Sequence, residues 1–242
     1  MNPSLVLENE LLLEFENFKR GEKHDKKTIQ QLLHYYKAQH IFNKEQKDFL
    51  SKNKIELEED ELDIWIESGW FDLSFEELVK YTKFKIILSK NKSEFPFVNI
   101  FNDKLENNFT ATFIKNEERL KAKEHFKALF NEAQSLFIYD KYLLDNQNSF
   151  KKFAEECFPK RALNIFYPAS LPFKQELRTH LKAMCKDWQV KQNQDETINN
   201  NYTNLHDRYI IIDKKIQVIL TSGIDYLMDT SKDFTYIVRE IK

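Results

Sequence analysis

The residues best suited to chemistry lie in one short segment near the carboxyl end of the chain. This segment, Leu205–Asp213, has the pattern H-x-R-x-x-x-x-D, with His206, Arg208 and Asp213 at its fixed positions. On a β-strand alternate side chains point to the same face, so His206 and Arg208 should lie side by side, about 6–7 Å apart. An imidazole can attack phosphorus or transfer a proton near neutral pH, and a guanidinium can hold two phosphate oxygens. The segment therefore predicts a site for a phosphate diester.

The same segment resembles the HKD motif of the phospholipase D superfamily, which is H-x-K-x-x-x-x-D followed by a small Gly/Ser element. Arg208 stands where the family has lysine, and the segment Thr221–Gly223 follows slightly later than the family's small element. In that family the histidine forms a phosphohistidine, the basic residue binds phosphate and the aspartate supports the arrangement. The resemblance implies these three catalytic roles for His206, Arg208 and Asp213, in that order.

Two further motifs are similar to those of the phospholipase D-like domain at the carboxyl end of eukaryotic MIT-domain proteins. Residues 137–142, F-I-Y-D-K-Y, look like that family's strand end I-x-D-P-Y. Residues 206–208 look like its H-D-R, and residues 222–226, S-G-I-D-Y, look like its R-G-L-D-Y. The order of the motifs is the same in both. The resemblance covers roughly residues 117–242 and implies a phospholipase D-like fold there.

Four residues in these motifs are candidates for binding the substrate. Asp140 and Lys141 follow a short apolar strand, and open α/β sheets place their sites at the carboxyl ends of strands. Ser222 precedes Gly223, one of only three glycines in the chain, where the backbone can pass close to a bound phosphate. Structural alternatives remain open: a strand-end cap for Asp140, a solvated charge for Lys141 and a simple turn for Gly223.

One such motif per chain is chemically incomplete, because a second histidine must protonate the leaving oxygen. Single-motif members of the superfamily dimerise so that two motifs meet, and the resemblance therefore implies a two-fold homodimer. We predict a metal-independent, cofactor-free phosphodiesterase with a histidine nucleophile, and more specifically a nuclease for DNA or RNA in a bacterial antiviral defence or restriction-type system. The MIT-associated domains are regarded as inactive, so the alternative is a non-catalytic module that binds a phosphorylated ligand, a nucleic acid or a protein partner.

Composition excludes several other classes of protein. The 242 residues include 37 Lys and Arg against 39 Asp and Glu, so any site for a polyanion must be built locally. Neither G-x-G-x-x-G nor G-x-x-x-x-G-K-[ST] occurs, which removes the usual backbone cradles for nucleotide phosphates. The two cysteines have no metal-site spacing. Without a signal-like start or an apolar stretch of about 18 residues, we expect a cytoplasmic protein with no membrane span.

The elements that must position these residues change along the chain. Up to about residue 80 apolar residues recur at spacings of three and four, as at Leu11, Phe15 and Phe18, which predicts helices that could bind a protein partner. Beyond residue 80 strand-like and helix-like stretches alternate. The predicted strands are 84–88, 95–101, 109–114, 136–139, 163–167, 188–190, 209–212, 216–220 and 234–238; the predicted helices are 117–133, 150–157 and 174–185, and residues 191–201 are predicted as a surface loop.

This alternation is typical of a mixed β-sheet with both faces covered. The sequence therefore predicts an α/β protein with two parts. A helical amino-terminal region would span residues 1–80, and a phospholipase D-like sheet flanked by helices would span residues 81–242.

Overall fold

The computed structural model describes residues 3–35, 40–57, 62–63, 66–67, 69–103, 105–106, 110–171 and 175–241. The chain divides into two compact units, Met1–Asn107 and Asn108–Lys242. The sequence placed the boundary near residue 80, but two strands that follow this position belong to the sheet that starts with the first strand of the chain, one paired with that strand and the other with its neighbour. The predicted ends at residues 109 and 174 lie outside the described residues.

The first unit combines helices with a small parallel sheet. Its strands pair in the order β1-β2-β3. The elements are β1 (Val6–Leu7), α1 (Asn9–Lys19), α2 (Lys26–Tyr35), α3 (Lys44–Lys52), α4 (Phe75–Leu78) with a 3₁₀ turn (Val79–Tyr81), β2 (Ile87–Ser89), β3 (Phe97–Asn99) and the short β4 (Leu105–Glu106). The region before residue 80 is thus not purely helical: β1 is fully buried, and a short apolar run shows no period that separates strand from helix.

The second unit contributes seven strands of a mixed sheet, in the order β5-β11-β10-β9-β6-β7-β8. Its elements are β5 (Thr110–Phe113), α5 (Leu120–Asn131), β6 (Ser135–Tyr139), α6 (Gln147–Cys157), β7 (Leu163–Tyr167), α7 (Gln175–Met184), β8 (Trp188–Gln192), α8 (Glu196–Asn201), β9 (Arg208–Ile212), β10 (Ile216–Leu220), α9 (Ile224–Met228) and β11 (Phe234–Glu240). β6, β7 and β8 run parallel, whereas β9 is antiparallel to both β6 and β10. The predicted α/β fold, helices followed by a mixed sheet flanked by helices, is confirmed.

An aromatic core covers one face of this sheet. Phe126 of α5 packs on Tyr236 of β11 and on Phe153 of α6, with ring centroids 5.0 and 5.6 Å apart. All three side chains are almost completely buried. Such large aromatic groups dominate the hydrophobic stabilisation of a core, so α5 and α6 are fixed on this face.

A smaller cluster covers the other face. Phe137 and Tyr139 of β6 pack there against Ile198 and Tyr202, which α8 and the turn after it provide. The prediction that residues 191–201 form only a surface loop was wrong: β8 extends to Gln192 and α8 follows, opened by the Asp195 side chain, which accepts a hydrogen bond from the N–H of Ile198. A six-residue helix with one apolar anchor shows no periodicity in the sequence.

Among the residues that the structure describes, no helix is long and apolar enough to cross a membrane.

Candidate functional site

Three strands bring the predicted site residues to one edge of the sheet. β6 ends at Tyr139, which pairs with Tyr209 of β9. β10 ends at Leu220, which pairs with Arg208, the first residue of β9. Asp140, Arg208 and the turn after β10 therefore meet at this edge, which we call the Arg208 edge. Asp140 follows the carboxyl end of β6, as the sequence predicted, whereas Arg208 stands at the amino end of the antiparallel β9.

Arg208 is held in a fixed position at this edge. Its Nε lies 3.6 Å from Oδ1 of Asp140, and the two side chains are only 13% and 2% exposed. Its Cζ lies 5.0 Å from the centroid of the Tyr142 ring. The Nε atom is buried and has no hydrogen-bond partner among the described residues. A guanidinium that is paired and stacked in this way is preorganised to bind the oxygens of an anion.

Asp140 is the buried anchor of this arrangement. Burial is the main influence on its carboxyl group and raises its pKa above the ordinary value, because low dielectric disfavours the charged form. The N–H of Tyr142, 2.9 Å from Oδ1, and the positive charge of Arg208 act in the opposite direction. Asp140 therefore fixes Arg208 from the buried side of the site. Its carboxylate is too buried to contact a substrate directly.

His206 lies just outside the sheet, in a bend two residues before Arg208. The sequence predicted it on the strand, but the pairing of β9 begins only at Arg208. Its side chain is 88% exposed, with Nδ1 3.6 Å from Oδ1 of Asp207. The Tyr139 hydroxyl donates a hydrogen bond of 3.2 Å to the carbonyl of Leu205, which ties the bend to β6. An exposed imidazole on a tethered bend can meet a substrate that approaches Arg208.

Lys141 adds a second cation at the Arg208 edge. It is exposed, and its Nζ lies 5.0 Å from the centroid of the Tyr142 ring. The sequence predicted Lys141 but missed Tyr142, a half-exposed ring that contacts both Lys141 and Arg208. Cations over an aromatic face gain electrostatic stabilisation without losing their charge.

The turn after β10 is shaped by a side chain. Gly223 is buried and precedes α9 with an ordinary φ of −65°. A Cβ atom at this position would lie 1.9 Å from Oδ1 of Asp225. The space beside Gly223 is filled by the end of the Asp225 side chain, which a larger residue would have to push aside. Ser222 lies beside it, and its hydroxyl donates to the carbonyl of Asp233 at 3.5 Å.

Replacing Gly223 by alanine should destabilise the protein by about 1 kcal/mol, because the new methyl group must push aside the end of the Asp225 side chain. The free energy of unfolding, measured with urea, checks this prediction. The same change made on top of Asp225→Ala should cost much less, since the clashing carboxylate is then gone. Equal losses in the two backgrounds would contradict the close approach.

Asp213 lies at the other end of β9. It occupies the turn to β10 with a φ of +48°. Its Oδ1 accepts hydrogen bonds from the N–H of Gln134 and from the N–H and hydroxyl of Ser135, at 3.0, 2.7 and 3.1 Å. Since β9 rises about 3.3 Å per residue, Asp213 lies on the order of 16 Å from Arg208. The structure does not bring Asp213 together with His206 and Arg208. Its carboxylate instead connects the turn after β9 to the start of β6 through hydrogen bonds.

Replacing Asp213 by alanine should therefore lower stability and leave the chemistry of folded molecules unchanged. We expect a loss of about 1–3 kcal/mol, because three donors lose their acceptor. Asp213→Asn should cost less, since asparagine keeps one acceptor oxygen and tolerates a positive φ. Urea unfolding and rates normalised to folded protein measure both effects; a folded Asp213→Ala protein with strongly reduced turnover would contradict this role.

The remaining question at the site is whether it could hold a metal. Within the part of the chain that the structure describes, no group of three or more His, Cys, Asp or Glu side chains is placed to bind a metal ion.

Comparison with known proteins gives a distant structural likeness. No family model matches the chain, and no curated protein matches it in sequence. Among solved structures it is similar to NucT from Helicobacter pylori, with 15% identity and a TM-score of 0.30, over 53% of this chain and 84% of that chain. Any function must therefore be inferred from the side chains of the site.

Proposed function

We propose that this protein is a phosphodiesterase that cleaves nucleic acid through a covalent histidine intermediate. The observation that carries the proposal is an exposed His206 two residues from Arg208, whose guanidinium is fixed by Asp140 and Tyr142. Attack on a phosphate diester requires at least a nucleophile and a cationic group that binds the phosphate oxygens, and this edge of the sheet has both. A role in bacterial defence stays a prediction from composition.

In the first step Arg208 would hold the non-bridging oxygens of the diester while His206 attacks phosphorus. Asp207 faces Nδ1 of His206, so a proton on Nδ1 leaves the lone pair on Nε2 for the attack. A P–N bond forms, and the P–O bond to the leaving group breaks. The leaving oxygen takes a proton from a second imidazole.

In the second step the same second imidazole accepts a proton from water. The resulting hydroxide attacks phosphorus, the P–N bond breaks, and a phosphate monoester leaves while His206 is restored. The Arg208 edge itself provides one histidine, so we propose that the second is His206 of another copy of the chain. This is the proposed reason for a two-fold homodimer.

A second candidate function is binding without catalysis. It is favoured by the Asp140 carboxylate, which already offsets the charge of Arg208 at 3.6 Å and so leaves less of it for a transition state. In that case the Arg208 edge would hold a phosphorylated ligand, and His206 would only contribute a hydrogen bond.

Turnover by the wild-type protein separates the two candidates. We expect hydrolysis of DNA, RNA or a small phosphodiester dye, unchanged by EDTA, from a species with the mass of a dimer. Binding of these substrates without turnover would favour the second candidate, and turnover that EDTA abolishes would contradict the proposed mechanism.

A further inference from the structure

We propose that Arg178 binds a second phosphate of the same nucleic-acid strand, a few nucleotides from the phosphate that reacts at Arg208. This inference rests on the proposed function and extends it. It assigns a binding residue outside the three motifs, and it selects polynucleotides over small diesters as substrates.

The guanidinium group of Arg178 has surroundings like those of Arg208. It lies in α7, and its Cζ is 5.2 Å from the centroid of the Tyr167 ring, the last residue of β7. Its Nε is buried without a hydrogen-bond partner among the described residues, as is that of Arg208. Each arginine thus lies over a tyrosine ring with its inner nitrogen unsatisfied. A stacked guanidinium has little conformational freedom left to lose when it binds a ligand. It also presents its remaining N–H groups in a fixed plane.

The strand register places Tyr167 on the same face of the sheet as Arg208. Phe137 pairs with Phe166, and both belong to the cluster on the opposite face. Side chains alternate along each strand, so Tyr167 shares its face with the neighbour of Phe137 on β6, Ile138. Ile138 pairs with Ile210, which is two residues beyond Arg208 and therefore on the Arg208 face.

The distance between Arg208 and Tyr167, the residue under Arg178, suits a nucleic-acid strand. Going from Arg208 to Tyr167 crosses two strand spacings and advances about two residues, which gives a separation of about 12 Å. Each nucleotide of a duplex strand advances about 3.4 Å along the helix axis, so a phosphate at most a few nucleotides away can lie about 12 Å from the reacting one. One diester cannot reach both arginines, whereas a short single strand can.

The charges distinguish Arg178 from Arg208. Arg208 is paired with Asp140, but no carboxylate of the described residues lies within ion-pair distance of Arg178. An uncompensated, partly buried cation attracts an anion more strongly than an exposed one, because water screens it less. Arg178 is therefore suited to binding and Arg208 to holding the reacting group.

The experiment compares Arg178→Ala with a matched control, Lys186→Ala. Lys186 is exposed and lies between α7 and the start of β8, at the opposite edge of the sheet. A fluorescent single-stranded 12-mer measures binding by anisotropy at several salt concentrations, and bis(4-nitrophenyl) phosphate measures turnover of a small diester.

For Arg178→Ala we expect the Kd of the 12-mer to rise about tenfold or more, with a salt slope lower by about 1, because a charged phosphate contact is lost. Its kcat/KM for the small diester should stay within about twofold of wild type. Arg178→Lys should recover only part of the affinity, since lysine lacks the planar fork. Lys186→Ala should match wild type in both assays.

Unchanged 12-mer binding in Arg178→Ala would overturn the inference, and so would equal losses on the 12-mer and the small diester. Binding by wild type without any turnover would refute the proposed catalysis alone, because the anisotropy comparison still decides on Arg178. Absence of 12-mer binding by wild type would overturn this inference as well.

Discussion

Replacing His206 by alanine should abolish phosphodiester cleavage, lowering kcat/KM by about 10³-fold or more, because the variant lacks the group that attacks phosphorus. The side chain is 88% exposed, so the change should alter the free energy of unfolding by no more than about 0.5 kcal/mol. Initial rates on DNA, RNA and the small diester in EDTA, together with urea unfolding, measure both effects.

The matched control for this variant is His34→Ala. His34 is also exposed and lies on α2, outside the three motifs and outside the helix that carries Arg178. It should keep wild-type rates, which excludes a contaminating nuclease as the source of activity. Equal rates for wild type and the His206→Ala protein would show that the measured activity does not come from this site.

Replacing Arg208 by alanine should reduce both activity and stability. We expect kcat/KM to fall by about 10²–10³-fold, because the charge that develops on phosphate loses its main counterpart. We also expect a loss of about 3–5 kcal/mol, because Asp140 stays 2% exposed without its cation. Steady-state rates and urea unfolding of the same preparations test the two effects separately.

A second change separates the two roles of Arg208. Asp140→Asn in the Arg208→Ala protein removes the uncompensated buried charge, so stability should recover in large part while activity stays low. An Arg208→Ala protein as stable as wild type would contradict the buried pair. Recovery of activity in the double variant would contradict the role of Arg208 in holding phosphate.

The fold could be predicted from the sequence largely because its strands are short, apolar and separated by polar residues. Asp140 and Arg208 meet because β9 is antiparallel to β6, which places the amino end of β9 beside the carboxyl end of β6, and the sequence does not specify that strand pairing. α8 could not be predicted because Ile198 alone anchors it. β1 could not be predicted because two buried apolar residues show no period.

The features of the site also differ in how far the sequence predicts them. The separation of Asp213 from Arg208 follows from strand geometry, since Arg208 begins β9 and Asp213 follows its last residue. The stacking of Arg208 on Tyr142 and of Arg178 on Tyr167 joins segments far apart in sequence or on different elements. No pattern in the sequence specifies such a pairing, because it depends on how the helices pack on the sheet.

The stereochemical course at phosphorus tests the central claim most directly. A covalent His206 intermediate requires two successive in-line displacements, each of which inverts phosphorus. Cleavage of an oligonucleotide with one chiral phosphorothioate linkage, in water enriched in ¹⁸O, should therefore give a product with retained configuration. Inversion would show a single direct attack by water and would contradict the covalent role of His206.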